Sequence, residues 1–293
     1  MKRQLVNLLP DLEQGITELL DSLRCNLVLL HLHDRPAGGH FVGLWQCLSH
    51  SSLDKGPDPE NVESVEFNWL SGLWAVVNNA GISDWAEIEW STIEDFRNMV
   101  DVNLFGCIRT SIAFLPLVRA TKGRIVFVSS IFSFFYCLNM GAYSVSKRGL
   151  EAFADCLRVE MASFGVKVSI IQPGNFGQAT NILKRKTSSD IWNKLDDEKK
   201  RIFGREYIEL ANDYFTSTCR AGFKDAEPVV AAMLHAVTSA HPKHRYLLVS
   251  VMEMFFFRIF PFLPTILADL RSHWSNPSPA QLDIWVSWCS AWS

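Results

Sequence analysis

Tyr143-Ser-Val-Ser-Lys147 opens a segment in which Leu150, Phe153, Ala154, Leu157 and Met161 recur at three-and-four spacing. That period predicts one amphipathic helix over 143–163, its apolar stripe turned to a core. On such a helix Tyr143 and Lys147 lie one turn apart on the same side. A free phenol titrates near ~10 and a neighbouring ammonium favours its phenolate, so the pair predicts a phenol drawn toward the range of a neutral-pH acid/base catalyst. The pattern is short, and its surroundings give it weight.

Working outward, Ser130 lies thirteen residues upstream, at the end of the apolar run Arg124-Ile-Val-Phe-Val-Ser-Ser130. The run reads as a buried parallel strand that delivers a hydroxyl at its C-terminal end, where open α/β sheets bind ligands. Leu73-Trp-Ala-Val-Val77 flows likewise into Asn78-Asn-Ala-Gly81, and Val166-Lys-Val-Ser-Ile-Ile171 into Gln172-Pro-Gly174. Three such strands alternating with helical patterns predict an α/β fold with a doubly wound parallel sheet.

These residues carry a resemblance. NNAG (78–81), Asn103 within DVNLFG, Ser130, YSVSK (143–147) and PG (173–174) stand in the order and spacing of the short-chain dehydrogenase/reductase superfamily. LEAFADCLRVEM (150–161), GVKVSIIQPGNF (165–176) and the AT at 179–180 are most similar to the branch holding type 1 D-beta-hydroxybutyrate dehydrogenase, with retinol and 11-beta-hydroxysteroid dehydrogenases as near relatives. The resemblance covers residues 71–271 and implies a Rossmann-like single domain. It implies hydride transfer between NAD, with NADP as the alternative, and a small hydroxy or keto compound: 3-hydroxybutyrate/acetoacetate first, a steroid or retinol otherwise.

It also implies roles. Tyr143 is the general acid/base, Lys147 lowers its pKa and holds the nicotinamide ribose, Ser130 binds the substrate oxygen, and Asn103 supports a water relay to Lys147. Asn79, Ala80, Gly81, Pro173 and Gly174 join Tyr143 and Lys147 along the cofactor. A homo-oligomer and a mitochondrial, membrane-associated location are implied in the same way.

Composition sets bounds. The 293 residues are 48% hydrophobic and 20% charged, enough for a sizeable core. A formal charge of −3 gives no electrostatic reason to bind nucleic acid. Seven scattered cysteines without a C-x-x-C pair, and eight histidines without H-E-x-x-H spacing, suggest neither a disulfide framework nor a metal site. The start, MKRQLVNLLPDLEQG, resembles neither a signal nor an arginine-rich transit peptide.

The rest of the chain falls into segments. Residues 1–70 are atypical for the family: 12–23 carries a helical face, 26–32 reads as a strand, and the Pro/Gly/Ser clusters of 34–71 read mostly as loop. Ser91 and Glu94 have capping-box spacing before a long helix that contains Asn103. Residues 181–214 form a polar, helix-like insertion that closes over the substrate in relatives. A helix over 225–239 and a last strand over 245–251 follow. Met252–Leu267 is very apolar, yet Glu253, Arg258, Pro261 and Pro264 prevent an unbroken spanning helix, leaving an interfacial phospholipid contact or core packing as its role. The Trp-rich tail, 272–293, has no assigned role.

Rival chemistries are weaker. Ser144-Val-Ser-Lys147 matches S-x-x-K, but S-D-N and K-T-G are absent, as is a G-x-S-x-G elbow. The stronger alternative is a dehydrogenase-like binding module with little catalysis. The family's T-G-x-x-x-G-x-G turn, which cradles pyrophosphate at a helix N-terminus, is not found, and Pro36-Ala-Gly-Gly39 with Gly43 has other spacing. By family spacing the turn falls about eighty residues before NNAG, ahead of Met1.

Overall fold

The computed structural model describes residues 28–32 and 41–44 as backbone strands, and then 73–180, 182 and 186–264. Strands β1 (Val28–Leu32), β2 (Phe41–Leu44), β3 (Ala75–Asn78), β4 (Arg124–Val128), β5 (Lys167–Pro173) and β6 (Arg245–Leu248) form one sheet in the order β2-β1-β3-β4-β5-β6. From β3 to β6 every pairing is parallel.

Alternation along these strands separates two cores. Val76, Ile125, Phe127, Val168 and Ile170 pack with Cys107 and Val118 of α2 (Cys107–Ala120), and with Leu150, Ala154 and Leu157 of α3 (Gly141–Met161). Ala75, Val77, Val126 and Ile171 point the other way, onto Val229, Met233 and Ala236 of α6 (Glu227–Thr238). Helices thus cover both faces, as the doubly wound reading expects. Pro228 lies in the first turn of α6, where its missing N–H has no intrahelical partner to lose.

The helix read over 143–163 spans 141–161, and a short 3₁₀ turn (162–164) follows it. Gly165, at φ 75°, then takes the left-handed step that lets the chain reverse into β5. Helix α1 (Ile93–Val100) starts one residue later than the capping reading placed it. Thr92 and Asp95 form the box, because the Thr92 hydroxyl accepts the Asp95 N–H while the Asp95 carboxylate accepts the Thr92 N–H. The helical run 93–120 is long and apolar enough to cross a membrane by length and composition, yet Met99, Asn103, Cys107 and Val118 bury its inner side in this domain.

Two N-terminal expectations change. Phe41–Leu44 is a strand inside the segment read as loop; it pairs with β1 from Leu32↔Phe41 to Leu29↔Leu44. The apolar run near 26–32 does become a strand, but it is antiparallel to β3, with Leu30 opposite Ala75 and Val28 opposite Val77. Its C-terminal residue, Leu32, therefore arrives at the edge where the parallel strands begin. The PAGG cluster and the helical pattern of 12–23 lie outside the described residues.

The 181–214 insertion contains α4 (Ser188–Lys194) and the first part of α5 (Asp197–Arg220), which breaks at Gly204 (φ 72°, ψ 159°). β6 stops at Leu248 rather than running to 251, because Ser250 caps α7 (Val251–Ile259) in a box with Glu253. Only nine residues of the apolar 252–267 region and its N-terminal neighbour continue as that α-helix before the turn at Phe260–Phe262.

Candidate active site

Three parallel strands end at one edge of the sheet, and each brings polar groups there. Beyond β4, Ser130 takes an extended conformation and caps a 3₁₀ turn, its Oγ accepting from Phe132 N at 3.3 Å. The chain returns through α3, whose first turn faces that hydroxyl, and Ser130 hydrogen-bonds the Tyr143 phenol. One turn on, Lys147 Nζ stands 5.7 Å from the Tyr143 ring centre and donates to Val128 O at 2.8 Å. All three residues are buried.

The electrostatics differ from the expectation. Burial pushes the Tyr143 phenol up to about 12, against a smaller lowering by the Ser130 hydrogen bond. Burial also pulls Lys147 down to about 8, while Cys107 and Glu151 act to raise it. The expected lowering of the phenol by the ammonium is thus overruled in this closed site. Removal from water disfavours the charged form of each group, phenolate and ammonium alike.

Asn103 does not sit in regular α-helix. Residues Asp101–Gly106 form a π-helical segment between α1 and α2, the kind of local widening frequent at functional sites. There the fully buried Asn103 side chain accepts from Ile82 N at 2.8 Å and donates to Ile82 O at 2.9 Å and to Ser146 Oγ at 3.0 Å. It pins the segment after NNAG to the helix of Tyr143 and Lys147. Its hydrogen bonds go to Ile82, Met99 and Ser146 rather than to Lys147.

Gly81 is where the cofactor reading can be tested. A Cβ added there would meet Asn103 Oδ1 at 3.3 Å and Lys147 Nζ at 3.6 Å, so glycine leaves open the space beside the ammonium. Ala80 is buried next to it, and Asn79 is half-buried. Gly174 N donates to Leu248 O at 2.8 Å, and a Cβ there would strike Val249 Cγ1 at 2.8 Å; Pro173 ends β5. These groups fit the nicotinamide-ribose end of a dinucleotide. At the other end, β1 runs against β3 and carries its C-terminus away from this edge, so it cannot lead a phosphate-binding turn there.

One wall of the site is apolar. Tyr143 shares a cluster with Trp85, Met99, Met140, Ile191, Leu195 and Ile208, and Phe132 and Phe215 pack against it. The insertion grips this wall: Trp85 stacks on Phe215 at 4.7 Å, Trp90 meets Phe203 and Tyr207 edge-on, Tyr207 hydrogen-bonds Glu87, and Lys186 pairs with Asp84. Burial raises both the Glu87 carboxyl and the Tyr207 phenol from their ordinary values.

Sequence reasoning missed the polar groups behind the site: Ser133, Glu151, Gln172 and Arg245. For Glu151 the signal was a four-residue spacing, Tyr143-Lys147-Glu151-Asp155, along one helix face; the other three carried none. Among the described residues there is no group of three metal-ligating side chains.

The family model described as short chain dehydrogenase matches residues 60–190. The mitochondrial D-beta-hydroxybutyrate dehydrogenase of Bos taurus is 39% identical over 180 residues, covering 60% of this chain and 52% of that protein. Retinol dehydrogenase 7 of Rattus norvegicus is 39% identical over 215 residues, covering 72% and 67%. Retinol dehydrogenase 16 of Homo sapiens is 39% identical over 216 residues, with the same shares of 72% and 67%. The chain thus spans about half the length of the hydroxybutyrate dehydrogenases it matches. Among solved structures, a short-chain dehydrogenase from Streptomyces avermitilis superposes with a TM-score of 0.50 at 22% identity, over 71% of this chain and 70% of the other, which bears on the fold alone.

Proposed function

Because this chain belongs to the short-chain dehydrogenase family, we propose that it interconverts a secondary alcohol and a ketone with a nicotinamide cofactor. The observation that carries this reading is the buried contact of Ser130 with Tyr143, one helical turn from Lys147. A bound nicotinamide supplies the hydride acceptor or donor. Asn79, Ala80, Gly81, Pro173 and Gly174 would hold it, with Lys147 at its ribose.

The chain's own residues handle the proton and the charge. Ser130 donates to the substrate oxygen and stabilises the negative charge that grows there, and Tyr143 moves the proton to or from that oxygen. Burial holds the phenol near 12 and Lys147 near 8. A protonated Lys147 one turn away favours the phenolate against that burial, and Asn103 keeps the segment at Gly81–Ile82 and α3 in register.

The cluster of Trp85, Phe132, Met140, Ile191, Leu195 and Phe215 around Tyr143 supports an apolar alcohol, such as a retinol or steroid. The hydroxybutyrate reading rests on the Bos taurus relative. A small hydroxy acid needs a cation at its carboxylate; among the described residues Lys186 reaches this wall, and it is paired with Asp84. NAD remains the proposed cofactor, with NADP the alternative, and a mitochondrial location is proposed from the same relative.

Turnover tests both levels. Apolar secondary alcohols and 3-hydroxybutyrate are offered separately with saturating NAD. Activity on the former alone supports the apolar reading, and activity on 3-hydroxybutyrate alone replaces it. If no alcohol is oxidised by a chain that binds the cofactor, the enzymatic reading fails.

A further inference from the structure

Behind Lys147, one turn further along α3, a carboxylate gathers three segments of the site. Glu151 is 9% exposed. Its Oε1 accepts from Ser133 Oγ at 2.5 Å, and both oxygens accept from Gln172 Nε2, at 2.9 and 3.0 Å. Arg245 Nη2 of β6 stands 3.5 Å from Oε2 and also pairs with Asp155 at 2.5 Å. Ser133 belongs to the turn that Ser130 caps, and its single hydroxyl hydrogen is shared between Glu151 and Ser130 O at 2.7 Å. Gln172 immediately precedes Pro173-Gly174.

We propose that Glu151 is a positioning residue for the reaction: its carboxylate fixes the Ser130 turn and the Pro173-Gly174 loop against α3, and supplies the negative charge that faces Lys147. This rests on the dehydrogenase reading above. A buried carboxylate is costly unless its oxygens are satisfied, and here both are. Removing it takes an acceptor from the Ser133 hydroxyl, the Gln172 amide and Arg245 at once, leaving Ser133 with Ser130 O and Arg245 with Asp155, so these segments lose their common anchor.

The charges around Lys147 sharpen the assignment. Tyr143 and Glu151 face it from its own helix, Cys107 faces it from α2, and Val128 O and the Gly81 backbone close the remaining sides. Burial pushes the Cys107 thiol up to about 11, and the Tyr143 phenol stands at about 12. Cys107 first, and Glu151 after it, act to raise Lys147 against its burial; of the two, only Glu151 is also bonded to the Ser133 turn and to Gln172. Arg245 is the cation on the opposite side of Glu151.

The test uses the full chain in five forms besides the parent: Tyr143→Phe, Lys147→Met, Glu151→Gln, Ser133→Ala and the swap Glu151→Gln with Gln172→Glu. Lysine side-chain NMR titration of the ligand-free protein, with Lys147→Met to identify the signal, reads the charge without turnover. In Glu151→Gln the Lys147 transition is expected to move to lower pH, and the swap, which returns a carboxylate to the pair, is expected to move it back. A transition unchanged in Glu151→Gln overturns the inference.

For positioning, kcat is expected to fall about 10–100-fold in Glu151→Gln, the scale of a misplaced reacting group, with partial recovery in the swap. Ser133→Ala is expected to lower kcat without moving the Lys147 transition, because the carboxylate remains. It decides the positioning claim where Glu151→Gln does not fold, and parental kcat in Ser133→Ala would then overturn it. The two readings fail differently: parental activity in Tyr143→Phe removes the proposed function, while the titration still judges Glu151.

Discussion

The two sides of the sheet obey opposite rules. From β3 to β6 the strands are parallel, so their C-terminal ends converge and carry Gly81, Ser130 and Pro173-Gly174 to one edge. On the other side of β3, the β1–β2 pair is antiparallel, and Leu32 arrives at the far edge. The parallel strands therefore carry polar groups to one edge, whereas β1 takes its C-terminal end away from it. Strand polarity, rather than hydrophobic content, separates the strands whose ends reach this edge from β1, whose end does not.

The strongest challenge to the parallel side is Tyr143→Phe. It removes the titrating hydroxyl and keeps the ring, so activity is expected to fall by ~10²–10⁴-fold with thermal stability little changed. Turnover within a few-fold of the parent would strip Tyr143 of its role. The antiparallel side is probed by cofactor affinity. Two lost phosphate contacts at ~1.5–3 kcal/mol each weaken binding by roughly 10²–10⁴-fold. Calorimetric titration with NADH is expected to give a millimolar constant or weaker, and a low-micromolar value would show that another segment makes the cradle.

Next in size is the burial of Lys147. Its folded pKa, about 8, lies below its ordinary 10.5. Between those values the unfolded chain binds more protons than the native one, so this residue makes stability rise with pH through that window. The gap corresponds to roughly 3 kcal/mol. Urea unfolding of the parent and of Lys147→Met is expected to give a difference that changes across pH 8–10.5. Because Lys147 also lowers the Cys107 thiol, the same pair is compared in a Cys107→Ala background, where that coupling is absent. Parallel pH curves would show that Lys147 is hydrated.

The smallest expected effect tests whether α7 meets lipid. Phe257 and Phe260 turn inward onto Phe135, while Val251 (73% exposed), Phe255 (69%), Ile259 (56%) and Phe262 (86%) form an outward stripe. Sedimentation with phospholipid vesicles is expected to carry down a fraction of the chain, reduced by Phe255→Ser with Phe262→Ser. A protein wholly in the supernatant, with and without anionic lipid, would assign the stripe to another contact.

Much of the parallel side was legible because buried parallel strands are short unbroken apolar runs, and a helix such as 141–161 repeats its stripe over five turns. The grouping of Ser130, Tyr143 and Lys147 followed from that geometry. The polarity of Val28–Leu32 was not legible, since an isolated apolar run carries no sign of its direction. The π-helical widening at Asn103 is set by Ile82 and Ser146, partners 21 and 43 residues away. The phenol's upward shift comes from burial, with Ile191, Leu195 and Ile208 of distant segments packed in its cluster. The four-residue step from Lys147 to Glu151 does not name the partners Ser133, Gln172 and Arg245 that lie far along the chain.

The outer edge of β3 has one further consequence. Its backbone groups from Ala75 to Val77 can be bonded by a single neighbour, and β1 holds that place. Any strand offering the parallel orientation and a glycine-rich turn would compete for the same hydrogen bonds, in cis or from another chain. Entry of such a strand would thus be an exchange with β1 for those bonds rather than an addition to a free edge.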